Sequence, residues 1–439
     1  MVQSRVKTDD YAAKLARFEQ ETLFGKLPPE EQAFIHNLAL ALRLTYQEFR
    51  QVVEAARDLE MWREGRLSEW WRAQQAEAGP LGPQPKQKIL QALQQHLRAL
   101  RRAPKVYPQE GLPKPRAREK YTVRTEASDR KIHGLCPVAS ESTVCCNLRT
   151  IDAVQNCAFG CSYCTIQTFY HDQFVFDANL AEKLKAIPIE PNRFYHFGTG
   201  QASDSLVWGN RNGLLDTLCA FAADHPNVLL EFKTKSDNVR YFLENPVPPN
   251  VVCSWSLNTP TIIRNEEHFT ASLQQRLEAA RQVADRGVGV AFHFHPMVYY
   301  RGWDEDYPQI AATLLQRFAP EEVLFLSFGS VTLIKPVIKQ IRRLGQATKT
   351  LQMELVPDPH GKLTYPDDLK IRMFRTMYQA FAPWHGRVFL YLCMEKAEIW
   401  QATFGRVYPD NEAFERDFGH QTMRKLPIRP RNASPDLNR

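Results

Sequence analysis

Cys157, Cys161 and Cys164 stand at C-x3-C-x2-C spacing, in a segment that follows the strand-like run Arg149–Val154. Three thiolates on one short loop suit three irons of a [4Fe–4S] cube and leave the fourth iron without a protein ligand. That open iron suits S-adenosylmethionine, whose amino and carboxylate groups chelate it. An electron passed to the sulfonium then cleaves the molecule and releases a 5′-deoxyadenosyl radical. The competing reading is a structural zinc site. Zinc takes four ligands and usually shows paired C-x2-C or Cys/His groups, and no second pair follows at such a spacing. Cys136, Cys145 and Cys146 lie upstream as further ligands in principle. The cluster is the favoured reading.

Those three upstream cysteines pose a separate question, a second metal site. Adjacent thiols such as Cys145 and Cys146 fit a cube corner poorly, and no fourth ligand stands at a clear spacing, so this is the minority reading. His293 and His295 alternate along one strand-like run and share a face. Metal binding there needs a third ligand, so cavity lining or hydrogen bonding is expected. Cys219 and Cys253 read as packing residues.

The elements that must position the cysteine loop begin at Arg149. Strand-like runs cover Arg149–Val154, Phe194–Phe197, Val228–Phe232, Val251–Leu257, Val288–Phe294 and Val323–Phe328. Helix-like stretches between them include Leu180–Ile187, Leu214–Ala223, Ser272–Arg286 and Ile310–Phe318. Repeated βα units imply a parallel sheet with right-handed crossovers, open or closed into a barrel. In barrels chemistry sits at the C-terminal strand ends, the face on which a loop after the first strand falls. The expected division is 1–83 helical, 84–148 a basic helix and proline-rich connector, 149–345 the βα region, and 346–439 a C-terminal region that completes it.

In the helical part, prolines after Leu27 open one helix and Thr45 with Glu48 forms a capping box for the next. Two such helices fit a helix-turn-helix, although most pairs of this kind are simply packed. Residues 79–85 read as a linker. The helix that follows carries Ile89, Leu93, Leu97 and Leu100 as its apolar stripe. Pro104 to Lys131 is rich in proline and basic residues: a solvated connector, or alternatively an arm that contacts phosphates. The stretch Met297–Trp303, with Arg301, offers either stacking surfaces for bases or barrel packing.

At 439 residues, two domains are expected. Lys and Arg exceed Asp and Glu by 56 to 49, a charge of +7 that is compatible with nucleic acid without requiring it. Nine cysteines, an odd number, fit a reducing compartment better than a disulfide framework. The first residues form no apolar signal core and no apolar run is long enough to span a bilayer. The expectation is a cytoplasmic, monomeric protein with no membrane partner.

From about Arg149 to Asp306 the sequence resembles the radical S-adenosylmethionine superfamily, and within it the spore photoproduct lyase family. The cysteine triplet carries most of the resemblance. Ala202-Ser203-Asp204, Phe232-Lys233-Thr234-Lys235-Ser236, Trp255-Ser256-Leu257-Asn258 and Asn265-Glu266-Glu267-His268 follow in the same order. The resemblance implies an α/β fold, a partial (β/α)6 TIM-like barrel, here with an N-terminal α-helical domain. It implies a [4Fe–4S] cluster on Cys157, Cys161 and Cys164, and S-adenosylmethionine contacts from Ser203, Lys235 and Ser256. Tyr163 matches an aromatic beside the cofactor that also helps pass the radical back. An external electron donor such as ferredoxin or flavodoxin, and a DNA substrate carrying a methylene-linked thymine dimer, are implied as well.

The chain departs from the family where a dedicated cysteine returns a hydrogen: Gln201 falls there, and Thr165 replaces a tyrosine. Neither side chain donates a hydrogen atom as a thiol or phenol does. Cys393, on the apolar run Val388–Glu395, is the nominated replacement, with Glu395 as a polar contact. The alternative for Cys393 is a buried apolar role. Two alternatives to lesion repair stay open. One is radical modification of another substrate, RNA or peptide; the other is a nucleic-acid- or metal-binding module without turnover.

Overall fold

The computed structural model describes residues 3–77, 85–115, 121–136, 142–166 and 173–427. The expected linker at 79–84 and the basic residues Arg116, Arg118 and Lys120 lie outside them. The chain forms two compact units. One comprises residues 1–115, 299–301 and 333–355; the other comprises 116–298, 302–332 and 356–439.

The first unit is helical: α1 (Gln3–Glu21), α2 (Pro29–Leu42), α3 (Tyr46–Trp62), α4 (Leu67–Glu77) and α5 (Lys86–Arg102), with a later helix at Lys335–Leu344. The prolines before α2 and the Thr45–Glu48 capping box of α3 act as the sequence indicates. Helix α3 buries ten of its 17 residues, Phe49, Val52, Val53 and Trp62 among them, so it is a core helix and not an exposed reading helix. Asp58 of α3 is held by Arg342 at 2.8 Å through two nitrogens and by Arg101 at 3.0 Å. Ile89, Leu93 and Leu97 of α5 are buried, as its stripe predicts.

One reading changes here, and an open one is decided. Lys105, expected on a solvated connector, is 1% exposed, because its ammonium donates to the Tyr299 carbonyl at 2.7 Å. The aromatic stretch does not display rings for stacking. Tyr300 is buried and packs edge-on against Tyr107 at 6.0 Å, and Trp303 is buried too.

The second unit is built on one eight-stranded sheet. Its strands are β1 (His133–Leu135), β2 (Arg149–Ile151), β3 (Tyr195–Thr199), β4 (Val228–Thr234), β5 (Val251–Ser256), β6 (Gly289–Met297), β7 (Val323–Ser330) and β8 (Phe389–Leu392), and they lie side by side in that order. Strands β2 to β8 run parallel, and β1 closes one edge antiparallel to β2. Helices cross between successive parallel strands, for example Leu214–Asp224, Leu273–Asp285, Trp303–Arg317 and Asp367–Ala380. The inner strands are buried almost throughout, as expected for a parallel sheet covered on both faces.

The sheet curls into a partial barrel. His196 of β3 and Phe325 of β7 stand four strands apart in order, yet their rings are 5.8 Å apart. Phe418, on the last helix Asn411–Met423, packs against both and against Phe389 and Tyr391. Among the described residues no helix is long and apolar enough to cross a membrane.

Candidate active site

The cysteine loop follows β2 and the short strand Val154–Gln155. Asn156 turns the chain with φ +71°, a left-handed conformation that asparagine tolerates, and its side chain accepts from Cys157 N and donates to Gln173 O, both at 3.0 Å. Gly160–Cys161 then pairs antiparallel with Glu267–His268, and Ser162 N donates to Glu266 O at 2.9 Å. The Ser162 hydroxyl binds the Glu266 carboxylate, and the Tyr163 hydroxyl binds that of Glu267. Glu267 is in turn held by Arg276 Nη2 at 2.6 Å and Asn258 Nδ2 at 3.3 Å. A sequence segment that carried only weak resemblance thus anchors the loop.

Cys157, Cys161 and Cys164 open onto a cavity of about 90 Å3, whose wall also includes Ser203, Lys235 and Ser256. All six residues predicted to hold cluster and cofactor therefore meet in one place. They come from the C-terminal edge of the sheet: Ser203 follows β3, Lys235 follows β4 directly, and Ser256 ends β5. Asp204 clamps two of these ends together. Its Oδ1 accepts from the Leu206 and Val207 amides at 3.0 Å and from Thr234 Oγ1 at 2.8 Å, and its Oδ2 accepts from Lys235 N at 2.7 Å. Gly200, at φ +95°, is required in the same turn, since a Cβ there would lie 2.8 Å from the Lys233 carbonyl.

Burial pushes the Cys157 thiol up to about 12, with Asp204 adding to it. Burial likewise raises Cys161 and Cys164, against the opposing pull of Lys235. Burial works against the charge on Lys235, but Glu267 and Cys161 outweigh it and hold the ammonium above its usual range. Tyr163 is half-buried beside Cys157, Phe159 and Cys161, and the Lys235 ammonium lies 5.9 Å from its ring centre. Burial and then the Glu267 carboxylate keep its phenol protonated well past the ordinary range.

The donor set fits the expected groups. The buried hydroxyl of Ser203 has no hydrogen-bond partner among the described residues, although it lies on the cavity wall. A buried polar group of this kind calls for a ligand atom. Among the described residues no three His, Cys, Asp or Glu side chains come together as ligands of one metal ion. A cube distributes its three thiolates over three different irons, so the cysteine loop does not need such a set.

Other expected residues stand elsewhere. Cys393 is half-buried and is not among the residues of the cavity wall. Burial first, then Cys136, raises its thiol, while Lys233 of the wall pulls it back. Glu395 is not available as a polar contact for substrate, because it pairs with Lys370 at 2.7 Å in a buried ion pair. Thr165 is exposed and Gln201 half-buried. Cys145 and Cys146 hydrogen-bond one another, which lowers Cys145 to about 7. His293 and His295 bind neighbouring side chains on the concave face of the sheet and serve no metal set among the described residues.

Residues 148–354 match the family model for spore photoproduct lyase. The spore photoproduct lyase of Clostridium acetobutylicum is 23% identical over 178 residues, 39% of this chain and 53% of that protein. The enzyme of a Geobacillus species is 25% identical over 207 residues, 45% of this chain and 61% of that protein. The chain thus spans a little over half the length of these curated relatives. The solved structure of a spore photoproduct lyase complexed with a dinucleoside spore photoproduct superposes with a TM-score of 0.53 at 20% identity, over 62% of this chain and 82% of that one. A mutant with bound AdoMet and the same dinucleoside gives 0.51 at 20% identity.

The curled parallel sheet with its cysteine loop at the C-terminal edge has the fold of these solved structures. Over residues 148–354 the chain is similar to the spore photoproduct lyases.

Proposed function

We propose that this protein is a radical S-adenosylmethionine enzyme that cleaves its cofactor reductively and removes a hydrogen atom from a nucleic-acid substrate, a DNA photolesion in the first instance. The observation that carries the reading is the meeting of Cys157, Cys161, Cys164, Ser203, Lys235 and Ser256 on one cavity at the strand ends. The dinucleoside bound by the solved relative supports the substrate class. A reduced [4Fe–4S] cluster would supply one electron to the sulfonium of S-adenosylmethionine, and so the 5′-deoxyadenosyl radical.

The chain's own residues set the conditions for that chemistry. Cys157, Cys161 and Cys164 would hold the cluster on a loop made rigid by its pairing with Glu267–His268. Lys235 offers an ammonium to a carboxylate, and Ser203 and Ser256 offer hydroxyls to the cofactor's polar groups. Cys157, Cys161, Ser203 and Ser256 of the wall are buried, which limits water where it would weaken these contacts. Tyr163 lies against the cysteines with its hydroxyl fixed by Glu267. Cys393 is the proposed hydrogen donor in place of Gln201, reaching the site from outside the cavity wall. A soluble one-electron donor of the ferredoxin or flavodoxin kind, a cytoplasmic setting and a monomeric state complete the proposal.

The test is anaerobic reconstitution, followed by S-adenosylmethionine and a reductant, with 5′-deoxyadenosine read by mass spectrometry. Wild type is expected to form it and Cys161→Ala to form none. Thymine restored from DNA carrying the photoproduct, and lost in Cys393→Ala, supports repair with that donor. Deoxyadenosine without restored thymine moves the substrate to RNA or peptide. An intact cluster without any deoxyadenosine leaves a binding module.

A further inference from the structure

Glu231, Lys233 and Lys235 alternate along β4 and its end, so their side chains share the concave face. Lys235 is the cation matched to the cofactor. Lys233 lies one strand repeat deeper, about 6.6 Å further from the mouth, and it lines the same cavity. Among the described residues it makes no ion pair with a carboxylate. Its side-chain hydrogen bond among the described residues is long, Nζ to His295 Nδ1 at 3.5 Å.

The charge on Lys233 is nevertheless balanced. A chain of side chains runs from it into the sheet: His295 Nε2 to Ser327 Oγ at 3.1 Å, Ser327 Oγ to His293 Nδ1 at 2.6 Å, and His293 Nε2 to Glu231 Oε1 at 2.5 Å. A charged Lys233 fixes the direction of every bond. Lys233 donates to His295 Nδ1, His295 Nε2–H to Ser327, Ser327 O–H to His293 Nδ1, and His293 Nε2–H to Glu231. Both imidazoles are then neutral, the ammonium stands at one end and the carboxylate at the other. His196 at 2.8 Å and the Ser254 hydroxyl complete the donors around Glu231.

The titration directions agree with that assignment. Burial drives His293 down to about 4 and His295 well below its usual range, with Lys233 adding to both. Burial opposes the charge of Glu231, but His293 and His196 hold its carboxyl well below the ordinary range. For Lys233, burial lowers the ammonium, Glu231 and Cys393 raise it, and Lys235 lowers it. The chain has fixed positions as well as fixed charges. A Cβ on Gly329 would come within 2.9 Å of the His295 ring, so the strand beside it is cut to fit that imidazole.

Resting on the radical-enzyme reading above, we propose that Lys233 is a substrate-anchoring residue, which binds a phosphodiester oxygen of a nucleic-acid substrate reaching past the cofactor into the curled sheet. The ammonium has two N–H donors not spent on His295, and a desolvated cation without a carboxylate beside it favours an anionic acceptor. Positioning is supplied by His295, Ser327, His293 and Glu231, which hold the cation in place without neutralising it locally.

The experiment uses the reconstituted protein with S-adenosylmethionine bound and measures binding of the dinucleotide d(TpT) and of its uncharged methylphosphonate analogue. The wild type is expected to prefer d(TpT) at least tenfold. Lys233→Met is expected to bring that preference to about one, and Lys233→Arg to keep part of it. The ratio is internal to each variant, so loss of folding or of cluster would weaken both ligands together and leave it unmoved. An unchanged preference in Lys233→Met overturns the proposal, as does a wild type that binds both ligands equally or neither. Displacement of d(TpT) by a carboxylate-ended peptide of higher affinity overturns the nucleic-acid assignment. Deoxyadenosine formed by wild type in a parallel assay shows separately whether the radical-enzyme reading stands.

Discussion

Arg276 Nη2 lies 2.6 Å from Glu267 Oε2, and the two side chains are 0% and 1% exposed. The pair is the base of the cysteine loop, since the Glu267 carboxylate also takes the Tyr163 hydroxyl and its backbone pairs with Cys161. The Arg276 guanidinium also donates to the Ser256 and Ala271 carbonyls at 2.8 and 2.9 Å and to Thr270 Oγ1 at 2.7 Å. One arginine therefore ties the cysteine loop to a strand end that lines the same cavity. Removing one partner of a buried pair costs about 3–5 kcal/mol. Arg276→Met is expected to lower thermal stability accordingly and to reduce iron retained after anaerobic reconstitution. Full iron content at an unchanged melting temperature would remove this pair from the account of the site.

Gly200 makes a sharper case for backbone geometry. A methyl group there meets the Lys233 carbonyl and the Ser205 hydroxyl, both at 2.8 Å, in a backbone conformation of φ +95°. Gly200→Ala is expected to cost about 1–3 kcal/mol through overpacking and strain. The turn also carries Ser203 and Asp204, so affinity for S-adenosylmethionine should fall with stability. Equilibrium unfolding and cofactor titration of the same variant check both.

Ser203 should behave in the opposite way. Its buried hydroxyl has no partner among the described residues, so deleting it leaves no donor stranded. Ser203→Ala is expected to fold with an unchanged or slightly raised melting temperature. Its affinity for S-adenosylmethionine should drop by about 1 kcal/mol, roughly fivefold. A variant that loses stability without losing affinity would make Ser203 a packing residue.

That Cys157, Cys161, Cys164, Ser203, Lys235 and Ser256 share one cavity was legible in the sequence, because each belongs to a short motif at a strand end, and strand ends are where such sheets do chemistry. The sheet was legible too, since its strands are apolar runs separated by amphipathic helices. Glu267 and Arg276 were not. Their pairing depends on tertiary closure between a two-residue strand and a helix, and neither periodicity nor spacing encodes it. Lys105 misled, and the two readings of Met297–Trp303 stayed open, for a related reason: charge and aromatic content describe what a side chain offers, while burial is decided by what meets it. The chain from Lys233 to Glu231 draws on three strands, and only the curl of the sheet brings its members together.

That buried chain also dictates how the protein meets acid. His293 titrates ordinarily at 6.5 and in the folded protein at about 4, burial and then Lys233 being the causes. The folded state thus refuses a proton that the unfolded chain accepts. Stability from this group is complete above pH 6.5 and falls as pH drops from 6.5 towards 4, by about 1.4 kcal/mol per pH unit. Glu231 adds in the same direction at lower pH: its folded value is depressed, so its contribution is present above the ordinary carboxyl range and is lost as pH falls through the folded value. Denaturant unfolding of wild type and His293→Gln between pH 7 and 4.5 isolates the first of these. The variant is expected to start less stable, because an amide does not bridge Ser327 and Glu231 as the two ring nitrogens do, and to lose less with each unit of acid. Parallel pH slopes in the two proteins would mean that His293 is not held neutral, and His293 Nδ1–H would then donate to Ser327 instead of accepting from it.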